Sequence, residues 1–162
     1  MAVTGYSRSQ IWLHWLVLVL VVAQFVLHDG VVASYRTKVE TGVSNFTTLT
    51  VLHLGGGFLI LIFAMWRLMI RRSRGVPPPP QSDGALQARL ATAVHVTLYG
   101  LLILMPVTGV VAWAGPSGGA AALHSALRLV LFGLVVLHFL AALVGQFVQK
   151  TGVIGRMIKA AD

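Results

Sequence analysis

The chain has 162 residues, is 57% hydrophobic and only 10% charged, carries a formal charge of +8 and contains no cysteine. That composition lies outside the range of soluble domains, and the missing cysteines exclude disulfides, thiolate metal sites, iron–sulfur clusters and C-x-x-C-H cofactor attachment. The basic excess reads as the loop bias that orients a membrane protein, so no nucleic-acid partner is expected.

Four apolar runs approach the roughly 20 residues that a helix needs to cross the hydrocarbon core. The first is predicted from about Ser9 to His28. Val31-Val32-Ala33 before Ser34 faintly resembles a signal cleavage site. The run is longer than a usual signal core, however, and holds His14 and Gln24, so a retained helix is expected. A polar connection follows, marked by Asp29-Gly30 and by Arg36, Lys38 and Glu40. The second helix is predicted from Thr47 to about Ile70 and stops at Arg71-Arg72-Ser73-Arg74, before Pro77 to Pro80 impose an extended linker. The third covers about Leu86 to Trp113, with Pro106 as an expected kink. Gly115 to Gly119 turn the chain into the fourth helix, about Ala121 to Val148, and a basic tail ends the sequence. No internal repeat is evident. Short connections predict a single domain over residues 1–162, an all-α antiparallel bundle of four transmembrane helices with cofactors in its core.

Lysine and arginine gather at the amino terminus, the linker between the second and third helices, and the tail. Both termini are therefore expected in the cytoplasm of a multi-pass inner-membrane protein. The opposite side carries Arg36, Lys38 and Arg128.

Histidines stand inside these apolar runs. His124 and His138 are fourteen residues apart, which on a helix is about 21 Å and nearly one face. In an up-down bundle His14 shares a side with His138, and His53 shares the other with His124. Two imidazoles saturate a haem and leave a low-spin centre suited to electron transfer. The pairs therefore predict two non-covalent haem b groups, an inner one on His14 and His138 and an outer one on His53 and His124. The competing explanation is interhelical hydrogen bonding, but ionisable groups at membrane depth lean functional. His95 is a rival for the inner ligand in place of His138, or a partner of a propionate or quinone. His28, beside Asp29 at the membrane boundary, is left out as interfacial. Gly57, one turn beyond His53, would let a flat ring approach; small residues also serve plain helix packing. Arg67, fourteen residues beyond His53, either snorkels to the headgroups or pairs with an inner propionate. The same alternatives hold for Arg8 and Arg128. The four tryptophans fit an aromatic belt.

Tyr6-Ser7-x-x-Gln10 with Leu13-His14-Trp15, then Leu52-His53, Gly57 and Arg67-Leu68-x-x-Arg71, resemble the prokaryotic cytochrome b561 family. His95-x-x-Leu98-Tyr99, Met105-Pro106-x-Thr108-Gly109 and Leu137-His138-x-x-Ala141-Ala142-Leu143 extend the resemblance over nearly the whole chain. It implies an inner-membrane dihaem cytochrome exchanging electrons with the quinone pool, with superoxide as a candidate outer donor. The alternative it offers is a haem-bearing anchor subunit of a dehydrogenase or hydrogenase. One departure stands out: where relatives place another histidine after Ala-Ala-Leu, this chain has Val144-Gly145-Gln146-Phe147. Quinone contacts are expected from His95, Tyr99 and Trp15 on one side or Gln24 and Tyr35 on the other. The outward loops are short and offer little to a large protein partner.

Overall fold

The computed structural model describes residues 3–80, 84–115 and 118–161. These form six α-helices and one π-turn, with no strand among them: α1 (Arg8–Val26), α2 (His28–Thr41), α3 (Thr48–Arg74), α4 (Ala85–Ala114), α5 (Gly118–Leu143), the π-turn Val144–Val148, and a short α6 (Val153–Arg156). The spans Arg8–Val26, Thr48–Arg74, Ala85–Ala114 and Gly118–Val148 are long and apolar enough to cross a membrane.

Several expectations need correction. The first span ends at Val26, two residues early, and the connection after it is largely the helix α2. Its sequence lacks a strong apolar face, and what holds it helical is contact with α3. The basic run after Ile70 does not stop α3, which continues to Arg74 and closes at Gly75 (φ +83°). Arginine is a good helix former, and cations at a helix carboxyl end suit its dipole. The third span, as expected, carries Pro106 inside one helix, α4. The fourth span begins at Gly118, three residues early, and its last turn widens into the π-turn. Of the turn expected over residues 115–119, Pro116 and Ser117 lie outside the described residues.

α1 starts with a capping box. The Ser7 hydroxyl accepts from Gln10 N at 3.2 Å while Ser7 N donates to Gln10 Oε1 at 3.0 Å. The same carboxamide crosses to the end of α3, donating to Gly75 O at 3.0 Å and accepting from Arg74 at 3.1 Å. Ala161 N donates to Tyr6 O at 3.0 Å and Arg156 donates to Pro78 O at 3.0 Å. Both termini and the proline linker therefore meet at one end of the bundle. Burial there pushes the Tyr6 phenol above its ordinary pKa, against the opposing pull of Arg71 and Arg156.

At the other end α2 is fastened to both neighbours. Fully buried Thr50 donates to Ser34 Oγ at 2.7 Å and shares a 2.9 Å hydrogen bond with Thr47, the cap of α3. Gly30 brings the two helices so close that a Cβ there would stand 2.6 Å from Leu49 Cδ1. Lys38 donates to the Trp113 carbonyl and lies over that ring at 5.0 Å, while Tyr35 and Phe46 flank it.

Between these ends Val17, Val21, Ile60, Ala64, Leu101, Leu102 and Leu131 form the buried core. In a bilayer such a layer holds by close packing, since lipid is as apolar as the side chains. The closest helix pairs are α4 with α5, α1 with α3, and α3 with α4. α5 makes little close backbone contact with α1 and bridges to it by side chains, as in the Phe25–Phe132 ring pair at 5.5 Å.

Thr50→Val keeps the volume and removes the hydroxyl at the centre of the Ser34–Thr47 cluster. It should cost about 1–3 kcal/mol for the buried groups left unsatisfied. Hydrogen exchange should rise across α2 and remain slow in the four spans.

Candidate functional site

The histidines of the spans fall into two groups at different depths, with the apolar core layer between them.

At the end that carries the termini, His14 of α1 faces His138 of α5, ring centroids 6.2 Å apart and planes inclined at 63°. Two imidazoles bound to opposite faces of one metal, each nitrogen about 2.0 Å from it, hold their centroids about 6 Å apart. His95 of α4 meets the His138 ring edge-on at 5.2 Å, closer than that spacing. Arg67 Nη2 lies 3.1 Å from His14 Nδ1. A guanidinium only donates, so Nδ1 accepts and the ring proton sits on Nε2. The Arg67 guanidinium also lies over the Tyr99 ring at 5.5 Å. Trp15 packs against His14 at 5.4 Å and donates its indole N–H to Met157 O at 2.8 Å. It is thus tied to the tail and does more than mark an interface. Arg8 is exposed at the start of α1, outside the group of charges acting on His14, which are Arg67, His138 and His95.

At the α2 end, His124 Nδ1 lies 3.1 Å from Thr108 Oγ1. The Thr108 hydroxyl sits 2.9 Å from Met105 O and 3.0 Å from Leu104 O, so its proton goes to a carbonyl and it accepts from His124. The ring is then held with its proton on Nδ1 and the Nε2 lone pair free, the tautomer that ligates metals. Gly109 gives the ring its place: a Cβ there would stand 3.2 Å from His124 Cε1. His53 Nδ1 is buried without a hydrogen-bond partner, and the charges it feels are those of His124 and His28. Arg128 Nε is likewise buried and unpartnered. His28 belongs to this group. It sits near Arg128 and Asp29, and its pKa is lowered by burial and then by Arg128, against the opposing pull of Asp29. Sequence position alone made it interfacial; only the turn from α1 into α2 brings it over the histidines.

Among the described residues no three His, Cys, Asp or Glu side chains converge as a metal-ion site. A porphyrin brings four equatorial nitrogens of its own, so two facing imidazoles are the donor set it requires. The loose seam between α5 and α1, the open space around Gly57 and the orphaned His53 and Arg128 nitrogens all fit such a ring with charged edges.

The other candidates scatter. A Cβ at Gly56 would collide with the Gln24 amide, which lies in an apolar groove of about 940 Å³ between α1 and α3. Tyr35 stands beside Trp113, ring centroids 6.4 Å apart. Gly145, at the departure from the family pattern, is buried in the π-turn. Its carbonyl accepts from Thr151 N at 2.9 Å and from Thr151 Oγ1 at 2.8 Å, and a Cβ would stand 3.0 Å from Val153 Cγ2. The tail thus occupies the space that a side chain at 145 would take.

Gly145→His should push the tail off the π-turn at a cost of about 1–3 kcal/mol. Trypsin should then cut after Lys150 and Arg156 faster than in the native chain, with the spans intact.

Residues 5–160 match the family model described as prokaryotic cytochrome b561. Cytochrome b562 of Cereibacter sphaeroides is 30% identical over 159 residues, 96% of each chain. Cytochrome b561 homolog 1 of Escherichia coli (strain K12) is 27% identical over 118 residues, 69% of this chain and 62% of that one. The probable superoxide oxidase CybB of Yersinia pestis is 26% identical over 174 residues, 94% of this chain and 95% of that one. With a match running nearly from end to end over four membrane helices and their paired histidines, the chain belongs to the prokaryotic cytochrome b561 family, as a multi-pass bacterial membrane protein and haem b cytochrome of electron transfer.

Proposed function

We propose that the chain holds two haem b groups, one between His14 and His138 and one between His53 and His124, and moves electrons from a small donor outside the inner membrane to its quinone pool. The observation that carries this is the 6.2 Å spacing of the His14 and His138 rings, which suits two axial imidazoles. When bound, each haem would supply a one-electron centre held by two histidines. Its ligands then leave no place for oxygen to bind, so the chemistry is transfer of electrons alone.

The chain's own residues do the rest. Thr108 holds His124 in the ligating tautomer, and seating the inner group requires Arg67 to give up His14 Nδ1, freeing its guanidinium for a propionate. The apolar layer from Val17 to Leu131 keeps water out between the two levels. His95, at 5.2 Å from His138 and exposed on the flank of α4, is assigned beside the inner site as a quinone-facing group, with His138 as the ligand because its ring stands at 6.2 Å from His14. The basic termini end faces the cytoplasm, and α2 caps the outer face.

Superoxide suits the outer side, because the relative named a probable superoxide oxidase matches nearly the whole chain, and Arg36 and Lys38 offer an anion local positive charge on α2, where Asp29 and Glu40 balance them overall. Two superoxide ions would each lose an electron and leave as dioxygen. One quinone would take both electrons and two protons to become quinol. Lys38 is tethered to Trp113, so Arg36 is the more open of the α2 cations.

A reduced-minus-oxidised optical spectrum with haem counted per chain tests the ligand scheme. Two haems are expected in the native protein, one in each of His14→Ala, His53→Ala, His124→Ala and His138→Ala, and two in His95→Ala. Full haem content in His138→Ala with a loss in His95→Ala would move the inner ligand to His95. A colourless native protein would remove the scheme altogether. Quinone reduction by superoxide should also slow as salt rises, as screening shortens the reach of the outer cations.

A further inference from the structure

Of the arginines in the spans, Arg67 and Arg128 alone lie well away from a span end, and the spans hold no aspartate or glutamate: the four acidic residues of the chain are Asp29, Glu40, Asp83 and Asp162, all outside them. A guanidinium taken out of water costs several kcal/mol unless an anion meets it. Arg67 reaches His14 and Tyr99. Arg128 is half-buried, and the unrelieved part of it is its Nε.

Arg128 lies one turn beyond His124 on α5, and its Nε is buried with no partner. A helical side chain leans toward the amino end of its helix, which carries this guanidinium back toward His124 and the α2 end. His28, the first residue of α2, lies close enough for its charge to act on His53 and His124, and Arg128 acts on it in turn. Two groups thus meet beside the outer histidine pair, the Arg128 cation with its orphaned Nε and the His28 imidazole, and no acidic residue of the spans meets them. The missing partner is an anion that arrives with whatever sits between His53 and His124. A ferric haem bears two propionates against one net charge on its iron–porphyrin core, so it comes with the charge this cation lacks.

We propose that Arg128, assisted by His28, is a carboxylate-binding site that anchors a propionate of the outer haem and sets that haem's potential. The proposal rests on the two-haem scheme above. It also accounts for the placement of His28, whose ring can donate to the same carboxylate from α2 and so couple the cap on the outer face to the cofactor beneath it. Arg128 is therefore a positioning and charge-balancing residue.

The test is a redox titration of the purified holoprotein, native and with Arg128→Gln, Arg128→Lys and His28→Gln, with haem counted per chain. A cation beside the haem disfavours the more positive ferric form. Arg128→Gln should therefore lower the midpoint potential of one haem and leave the other unchanged. Arg128→Lys should keep most of the native value, and His28→Gln should shift the same haem by a smaller step. If Arg128→Gln loses a haem, retention in Arg128→Lys supports the charge pairing, and loss in both overturns it in favour of a shape requirement. Native potentials that move with added inorganic phosphate would assign the site to a free anion and overturn the propionate. Two haems whose potentials both ignore Arg128→Gln would overturn this site alone, whereas fewer than two haems in the native protein would overturn the two-haem scheme and the site with it.

Discussion

Inside a bilayer no water is available to satisfy a polar group, and that one constraint organises this protein. Every polar side chain in the spans must find its partner within the bundle or bring one in. The hydroxyls do so locally: Thr92, Thr97 and Thr108 donate back to carbonyls of their own helix. The imidazoles and guanidiniums are too large and too strongly polar for that solution. They gather instead at two levels, where His14 meets Arg67 and His138, and where His124 meets Thr108 beneath His28 and Arg128. What remains unsatisfied among the described residues is His53 Nδ1 and Arg128 Nε.

The same constraint explains the uneven packing. α1 with α3 and α4 with α5 form tight seams, while α5 reaches α1 mainly by facing side chains. A bundle packed evenly on all sides would leave no slot for a flat ring. Here the small apolar layer at mid-depth keeps the helices together and separates the two histidine levels. The ends supply the rigidity that the middle gives up. At one end Gln10, Arg74, Trp15 and the tail are cross-linked by hydrogen bonds. At the other, the Ser34–Thr47–Thr50 cluster and the Lys38–Trp113 contact hold α2 down. Helices fixed at both ends keep the imidazoles they carry at fixed depths.

The departure at Gly145 has a physical reading in this frame. At Gly145 the chain turns its carboxyl tail back, and Thr151 binds the Gly145 carbonyl twice. That seam leads directly to Met157, whose carbonyl holds Trp15 beside His14. The glycine thus serves the architecture of the inner end, and any hydrogen-bonding duty there falls to other side chains, of which His95 is the nearest to His138.

The sequence by itself determined the spans, their order and the depth at which each histidine stands, because hydropathy over some twenty residues and a helical repeat are properties of the chain that need no contacts. The Ser7-x-x-Gln10 cap was equally legible, as capping is local. Only the tertiary structure decided that residues 28–41 are a helix, since hydroxyl and ring contacts with α3 and α4 hold it there. Only it brought His28 within electrostatic reach of His53 and His124, set His95 at an edge-on 5.2 Å from His138, and showed that Trp15 serves the tail. Each of these depends on residues distant in the chain meeting at one depth, and depth along a helix can be counted from a sequence, whereas the rotation of one helix against another is fixed only when their side chains pack.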